Sequence, residues 1–296
     1  MNKVSIKVEV FDERRNILGE GPNSSGKSNE IFNWVDVPGR KVRFRNLLTS
    51  EISEYETAED VSFAIPRLGG GEIIGAANGP LLRDVDGTLH ILPTREDADG
   101  FHTSKKIRWN DAKVSPQGDL YLGTMAYDGE VNAAAFYQLR RDGRHLRRLF
   151  ADVTCSNGIA WSIDGALMYY IDTNLNRVDI FDVDESDIKN RRTHVSFTED
   201  MGLADGMSID ANGNLWIAFW GGNCLRCIDG RTGETLDEIP CPARFVTSSA
   251  FGGEDLDQLV ITSASQSTDL DDFPEAGMLF VAQPGVRGVA TTPFPS

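Results

Sequence analysis

Four polar residues that could bind a cation or an oxygen-rich substrate lie at the start of short β-rich segments. They are Glu20, Asn110, Asn157 and Asp205, two carboxylates and two amides. All four offer oxygen atoms, the donors that hard divalent cations prefer. Asn157 and Asp205 each precede a glycine, and Asn and Asp are also ordinary turn residues because they bond to their own backbone. Spacing alone leaves both interpretations open.

A second polar group, RWND at residues 108–111, could contact a substrate. Side chains two residues apart on a strand share one face, so Arg108 and Asn110 would point the same way. A guanidinium at the mouth of a channel is a natural ligand for an anion or for hydroxyl groups. The alternative is that Arg108 forms only a surface ion pair.

One segment, GPNSSGKS at residues 21–28, matches the phosphate-binding pattern G-x-x-x-x-G-K-[ST]. A working loop of this kind follows a buried strand and opens a helix whose amides hold phosphate. Here the preceding DERRNILGE does not read as a buried strand, and the following NEIFNWVDVPG reads as a short strand that ends at a turn. We therefore interpret the segment as a turn between two strands.

The cysteines and histidines do not form a motif for a second centre. Cys224 and Cys227 are three residues apart, so on a strand they would point to opposite faces, and no second Cys or His pair is near them. The four cysteines are Cys155, Cys224, Cys227 and Cys241, which we expect to be reduced and buried. The four histidines are His90, His102, His145 and His194, none of which has a partner at metal-ligand spacing.

The fold prediction rests on a repeated hairpin. Four segments share a short apolar strand, a polar turn with Gly or Asp, and a second apolar strand. These segments begin at Asn110, Asn157, Asp205 and Thr247, at intervals of 47, 48 and 42 residues. Fainter copies begin near Glu20 and Val61. A repeat of about 40 to 50 residues built from strands, without helical periodicity, is typical of a β-propeller with four-stranded blades.

The length of 296 residues fits six such repeats with one strand left over. The segment VSIKVEVF, residues 4–11, alternates apolar and polar side chains and is the candidate for that strand. We therefore predict an all-β, six-bladed β-propeller, closed by this N-terminal strand and forming a single domain over residues 1–296. Because the first strand of each blade lines the central channel, the four polar residues should converge at one end of it.

The amino-acid composition indicates which classes of binding partner are favoured. Apolar residues make up 40% and charged residues 25% of the chain, which is typical of a soluble globular protein. The net charge of −16 disfavours nucleic acids and anionic membranes as partners. The first fifteen residues alternate apolar and charged side chains instead of forming a signal sequence, so we expect a cytoplasmic protein. We expect a monomer or a small homo-oligomer.

Seven motifs, in a fixed order, carry a family resemblance. They are SIKVEV (5–10), GEGP (19–22), WVDVPGRKV (34–42), RWNDAKVSPQGDLYLGTM (108–125), SNGIAWSIDG (156–165), ADGMSIDANGNLWIA (204–218) and TSSAFGG (247–253). In these motifs the chain resembles the regucalcin and gluconolactonase family, also called senescence marker protein, of six-bladed propeller lactonases. The resemblance covers nearly the whole chain.

The resemblance implies two sets of site residues. The residues in the positions of the family's divalent metal ligands are Glu20, Asn157 and Asp205. Those in the positions that hold the substrate are Arg108, Asn110 and Asp128.

Three departures from the family pattern are expected to alter the shape of the substrate pocket. Asn23 and Ser24 stand where the family commonly has an apolar residue and Trp, Ala112 stands where Gly is usual, and Asp128 stands where several relatives have Glu. None of these departures removes a proposed ligand.

The implied activity is that of a divalent-metal-dependent hydrolase that opens a small, sugar-type lactone. An all-oxygen ligand set suits one Ca²⁺, Mg²⁺ or Mn²⁺ ion, and Zn²⁺ also binds carboxylates. In this hypothesis the ion acts as a Lewis acid and activates water, and Asp205 is the catalytic base. Arg108 and Asn110 orient the substrate hydroxyl groups. Phe219 and Trp220 are either pocket walls or packing between blades.

Two alternatives remain at the level of sequence. A non-catalytic calcium-binding regulatory protein would use the same three ligands, but it would not need Arg108 and Asn110. A propeller esterase or organophosphate hydrolase would use the same site on a different substrate.

Overall fold

The computed structural model describes residues 6–77, 79–99 and 106–296, and these residues form antiparallel β-structure almost throughout. In chain order the strands are β1 (Val8–Asp12), β2 (Gly19–Ser25), β3 (Ile31–Asp36), β4 (Lys41–Asn46), β5 (Ile52–Glu56), β6 (Val61–Pro66), β7 (Glu72–Ala76), β8 (Gly79–Arg83), β9 (Leu89–Ile91), β10 (Ile107–Val114), β11 (Leu120–Ala126), β12 (Ala134–Leu139), β13 (Leu146–Val153), β14 (Ser156–Trp161), β15 (Leu167–Asp172), β16 (Arg177–Asp184), β17 (Asp187–Ser196), β18 (Leu203–Ile209), β19 (Leu215–Trp220), β20 (Cys224–Ile228), β21 (Thr235–Pro240), β22 (Phe245–Gly252), β23 (Gln258–Ala264) and β24 (Leu279–Ala282). The helical elements are α1 (Arg95–Asp99) and two short 3-10 helices, Thr173–Leu175 and Glu199–Met201. Within the described ranges, no helix has the length and apolar character needed to span a membrane.

The strands pair into sheets that follow the order of the chain. Four separate four-stranded sheets contain β2 to β5, β6 to β9, β10 to β13 and β14 to β17. A larger sheet contains β18 to β21 together with β22, β23, β24 and β1, and its two parts meet at one residue pair, Trp220 with Phe245. The N-terminal strand β1 runs antiparallel to β24, with Val8 opposite Ala282. The prediction of an all-β protein made of four-stranded antiparallel units is confirmed.

Six strands, which we call the inner strands, form a ring. They are β2, β6, β10, β14, β18 and β22; each contacts the next, and β22 contacts β2. Every inner strand has a β-bulge near its start. The bulges lie between Glu20 and Asn23, Val61 and Ala64, Trp109 and Ala112, Ser156 and Ile159, Ala204 and Met207, and Val246 and Ser248. A bulge bends its strand and changes the direction of the side chains there. The predicted polar residues lie at four of these bulges and therefore occupy equivalent places around the ring; they are Glu20, Asn110, Asn157 and Asp205.

The apolar core fills the space between neighbouring sheets. Trp109 packs edge-on against Tyr137 at 5.3 Å between ring centres, in a cluster that also contains Phe63 of the preceding sheet. Cys224 and Cys227 belong to two different core clusters. The prediction that these two side chains point to opposite faces of their strand is therefore confirmed.

Candidate active site

Hydrogen bonds join two of the three predicted substrate residues, Arg108 and Asn110, to one predicted metal ligand. The Arg108 Nη1 group donates to Asn110 Oδ1 at 2.7 Å. The Asn110 Nδ2 group in turn donates to Asn157 Oδ1 at 3.2 Å and to the carbonyl oxygen of Ser156 at 2.7 Å. The Asn157 side chain is fixed from its other side, because its Nδ2 donates to Thr173 Oγ1 at 2.8 Å. Strands β10 and β14 thus present one connected polar surface.

The carboxylates of Glu20 and Asp205 lie close enough to affect each other's ionisation. Burial raises the pKa of Glu20 to about 8, with a further contribution from the charge of Asp111. Burial and the charges of Glu20 and Asp111 hold the pKa of Asp205 well above its ordinary value. Arg108 acts in the opposite direction and lowers the pKa of both groups. The ring therefore gathers three carboxylates and one guanidinium at one end.

Asp205 has a buried oxygen atom without a hydrogen bond. Its Oδ1 has no donor among the described residues, although the side chain is only 4% exposed. A buried carboxylate oxygen without a donor costs free energy because its interactions with water are lost and not replaced. A cation beside Glu20 and Asp205 would satisfy this oxygen and offset the repulsion between the carboxylates, so the residues present fit a divalent ion.

In the described ranges, no group of three or more His, Cys, Asp or Glu side chains is arranged to hold one metal ion, so Glu20, Asp111 and Asp205 do not form such a group. The predicted ligand set has another composition, since it combines two carboxylates with the amide of Asn157.

Asp111 belongs to this site but was not predicted as a site residue. On a regular strand it would point away from Asn110, so alternation gave no reason to select it. The bulge between Trp109 and Ala112 interrupts that alternation. The Asp111 Oδ1 atom accepts a hydrogen bond from the backbone N–H of Ala112 at 2.7 Å, and burial raises its pKa. Its position next to Asn110 in the RWND motif was the only signal in the sequence.

Arg108 is buried and forms no surface ion pair with the residues that the structure describes. The residue is 8% exposed, and its Nη1 group donates to the carbonyl oxygen of Trp109 at 2.9 Å as well as to Asn110. Its Nε and Nη2 groups have no hydrogen-bond partner within the described part of the chain. The guanidinium is therefore fixed at one nitrogen while its other donors remain available to a substrate.

Asp128 lies in the exposed turn after β11, where it accepts a hydrogen bond from the backbone of Glu130 at 3.2 Å. Strand β11 pairs with β10, and Arg108 is opposite Met125, three residues before Asp128. Asp128 is thus at the same end of the sheet as Arg108. Its role in substrate binding stays a prediction.

Two of the three departures from the family pattern lie away from this site, which corrects the expectation that all three shape the substrate pocket. Asn23 and Ser24 follow the bulge of β2 and are buried at the opposite end of the ring, where the Ser24 N–H donates to Thr291 Oγ1 at 3.1 Å. Ala112 packs in the core cluster that contains Trp109. The physical reason for both positions is that an inner strand runs away from the site, so residues a few positions beyond its bulge no longer face the site.

Comparison with known proteins identifies the family. A family model described as "SMP-30/Gluconolactonase/LRE-like region" matches residues 18–265. The chain belongs to this family. Regucalcin of Danio rerio is 38% identical over 294 residues, which cover 96% of this chain and 97% of that protein. A Bacillus subtilis protein provisionally named a sugar lactone lactonase is 33% identical over 301 residues, covering 95% of this chain and 96% of that protein.

A solved structure agrees with this assignment to the SMP-30/gluconolactonase family. The calcium-binding protein regucalcin from Agrobacterium tumefaciens superposes with a TM-score of 0.90 at 26% identity, covering 99% of this chain and 98% of that one. The family resemblance predicted from the motifs is therefore confirmed, and so is a propeller-type fold.

Other side chains near the site pack rather than react. Burial and the charge of Asp205 raise the pKa of Cys155 to about 12, so this thiol is a poor nucleophile at neutral pH. Phe219 is fully buried and packs edge-on against Phe197 at 4.9 Å. Trp220 stacks on Phe245 at 4.2 Å. Of the two interpretations of Phe219 and Trp220, the structure shows packing.

The phosphate-loop pattern at residues 21–28 lies in strand β2 and the turn that leads to β3, and the two strands pair antiparallel. This segment is a hairpin and does not open a helix. Among the histidines, the rings of His90 and His145 contact Asp84 and Asp142 at the surface, each at 2.7 Å. His102 lies outside the described residues.

Proposed function

We propose that this protein is a hydrolase that opens a small, sugar-type lactone and depends on one divalent cation. Glu20, Asn157 and Asp205 would hold the ion, and Arg108 and Asn110 would hold the substrate. One observation carries the proposal: the unpartnered Oδ1 of Asp205 lies near the carboxylates of Glu20 and Asp111, whose charges raise the pKa of Asp205, and beside the fixed Arg108–Asn110 pair. Membership of a family described by gluconolactonase supports the lactone as substrate.

We further infer that the chain is a single six-bladed propeller over residues 1–296, closed by its N-terminal strand. The closed ring of six inner strands supports six blades. The pairing of β1 with β24 supports closure, because it completes a four-stranded unit with β22 and β23.

The contacts of each residue indicate its proposed role in the reaction. When bound, the ion would supply Lewis acidity toward the lactone carbonyl and lower the pKa of a water molecule. The Asp205 carboxylate, beside the bound ion, would take the proton from the attacking water. Arg108 would donate hydrogen bonds to substrate oxygens through Nε and Nη2, and Asn110 keeps the guanidinium in place. Asp128 would accept a hydrogen bond from a substrate hydroxyl.

A non-catalytic calcium-binding protein is the second candidate, because the similar structure from Agrobacterium tumefaciens is described as calcium-binding. That function would need the ion ligands alone. The fixed Arg108, with donors left over for a substrate, favours the hydrolase.

A panel of aldonolactones tests the proposal. The protein is treated with EDTA, supplied in turn with Ca²⁺, Mg²⁺, Mn²⁺ or Zn²⁺, and followed by pH-stat. We expect turnover of at least one lactone to be lost with EDTA and restored by an ion. Tight ion binding without turnover of any lactone would favour the second candidate. Turnover that is unaffected by EDTA would contradict the metal dependence.

Ion binding should strengthen as the pH rises. Burial raises the pKa of Glu20 from 4.5 to about 8 and also raises that of Asp205, so the metal-free protein holds protons that an ion must displace. A raised carboxyl pKa stabilises the fold below the unfolded pKa, and this contribution is lost as the pH rises through the folded pKa. The metal-free protein should therefore lose stability between about pH 4.5 and pH 8, and the ion-loaded protein should lose less.

The measurement is the shift in melting temperature caused by the ion at pH 6 and at pH 8.5. We expect a larger shift at the higher pH, and a weaker pH dependence in Glu20→Gln. A shift of equal size at both pH values in the wild-type protein would contradict this prediction.

A further inference from the structure

A cavity of about 270 Å³ lies at the end of the ring opposite the candidate active site. All six inner strands contribute to its wall. One lining residue from each strand, in chain order, is Asn23, Ile65, Lys113, Trp161, Ile209 and Phe251. This axial cavity, as we call it, has the mostly apolar lining that is typical of small-molecule sites, and its volume is near the lower end of their range.

The axial cavity is separate from the candidate active site. Asp205 and Ile209 lie on the same strand, β18, four residues apart. Four residues of extended chain span ~13 Å, which is longer than a hydrogen bond or a metal–ligand distance. None of the six predicted site residues lines the axial cavity. A ligand in the cavity would therefore not touch the proposed ion or the lactone.

The C-terminal segment forms one wall of the axial cavity and is held by hydrogen bonds. The Val289 N–H donates to the Ile209 carbonyl oxygen at 3.2 Å, and Thr291 Oγ1 accepts from the Ser24 N–H. Beyond the cavity, the Phe294 N–H donates to the Pro66 carbonyl oxygen at 2.8 Å, and the Phe294 ring is fully buried. This wall is built into the fold, so the axial cavity is formed before any ligand binds.

One positive charge lies in this apolar lining. Among the described residues that line the cavity, Lys113 alone is charged. Its Nζ group donates to the Met207 carbonyl oxygen at 3.3 Å, which uses one of three N–H donors. Burial lowers the pKa of this ammonium group, and the charge of Asp111, two residues away on the same strand, acts in the opposite direction. An ammonium group with unused donors inside an apolar wall is suited to one anionic group that is attached to an apolar body.

We propose that the axial cavity is a second binding site, for a small amphipathic anion such as an aromatic carboxylate. The carboxylate would pair with Lys113, and the rings would pack between Trp161 and Phe251. This inference does not depend on the lactonase proposal, because none of the residues proposed to hold the ion or the substrate lines the cavity.

The probes are 2-naphthoate and its uncharged analogue 2-naphthamide, with binding measured by calorimetry and by ligand-observed NMR on the full chain. We expect 2-naphthoate to bind and Lys113→Met to weaken it by about tenfold or more, with little effect on 2-naphthamide. Val289, 44% exposed at the rim, provides a second variant that leaves the core intact. Val289→Trp should block the opening and weaken both probes.

The control variant is Arg108→Ala, which should leave 2-naphthoate binding unchanged because Arg108 is at the other end of the ring. Loss of probe binding in Arg108→Ala would place the probe in the candidate active site and overturn the inference. It would also be overturned by a lack of 2-naphthoate binding at millimolar concentration, or by unchanged binding in both Lys113→Met and Val289→Trp.

Discussion

Replacing Asp205 with asparagine is expected to abolish lactone hydrolysis and ion binding while leaving the fold intact. Asparagine has nearly the same shape, so the packing of this buried residue is kept. The change removes the carboxylate that would take the proton from water, and loss of a general base typically costs about 10² to 10⁴ in rate. It also removes one of the charges that would hold the ion.

The metal-free Asp205→Asn protein should be at least as stable as the wild type at pH 8. The reason is that Asp205 is buried near Glu20 and Asp111, which raise its pKa, so its negative charge is unfavourable without a cation.

The Asp205→Asn experiment measures turnover by pH-stat with added ion, ion affinity by calorimetry, and the free energy of unfolding in EDTA. Asp200→Asn is a matched control, because Asp200 is an exposed aspartate in the preceding 3-10 helix. The control should behave as the wild type in all three measurements. Wild-type turnover in Asp205→Asn would remove Asp205 from the mechanism.

Arg108→Ala is expected to lose turnover by about a hundredfold or more without weakening the ion. The guanidinium would position the substrate through donors that Asn110 and Trp109 do not use. Its positive charge lowers the pKa of Glu20 and Asp205 and also repels a cation at the same place. Removing this charge should therefore leave ion affinity equal or higher, measured by calorimetry at the same pH for both proteins.

The Arg108→Lys variant distinguishes the effect of the positive charge from the effect of the guanidinium geometry. Lysine keeps the positive charge but lacks the planar fork of donors, so we expect turnover to stay low and ion affinity to resemble the wild type. Both variants are assayed for kcat/KM on the lactone that is turned over best and for ion affinity by calorimetry. Ion binding that weakens in Arg108→Ala, with turnover per bound ion unchanged, would contradict the proposed role in substrate binding.

These two variants also distinguish the proposed functions. A calcium-binding regulatory protein predicts that Asp205→Asn affects ion affinity and that Arg108→Ala has no consequence for function. A hydrolase predicts that both variants lose turnover for different reasons. The comparison therefore tests the function with the same residues that define the site.

Much of the polar surface could be predicted from the sequence. Asn110 and Asn157 were selected by their equivalent places in the repeat, and the structure joins them by a hydrogen bond of 3.2 Å. Arg108 was selected because it shares a strand face with Asn110, and the two side chains are in contact. These successes have one physical cause: the hairpin repeat is a local pattern, so a residue's place in the repeat gives its place in the sheet.

Other features could not be predicted in this way. Asp111 joins the site because a bulge changes the direction of its strand, and strand alternation predicts the opposite. Asn23 and Ser24 were expected at the substrate pocket, yet they lie at the other end of the ring. Trp220 had two interpretations, and its stacking on Phe245 involves a residue 25 positions away, in the other part of the same sheet.

The sequence by itself determined the family, the repeated hairpins, and the residue types that can bind an ion and a substrate. Only the tertiary structure decided which side chains meet, which oxygen of Asp205 lacks a donor, and where the axial cavity lies. The physical reason is the sequence separation of the residues in contact. Hairpins form between neighbouring residues, whereas the site and the cavity depend on closing a ring of six strands. That closure brings together residues that are far apart in the chain, at distances that no local pattern specifies.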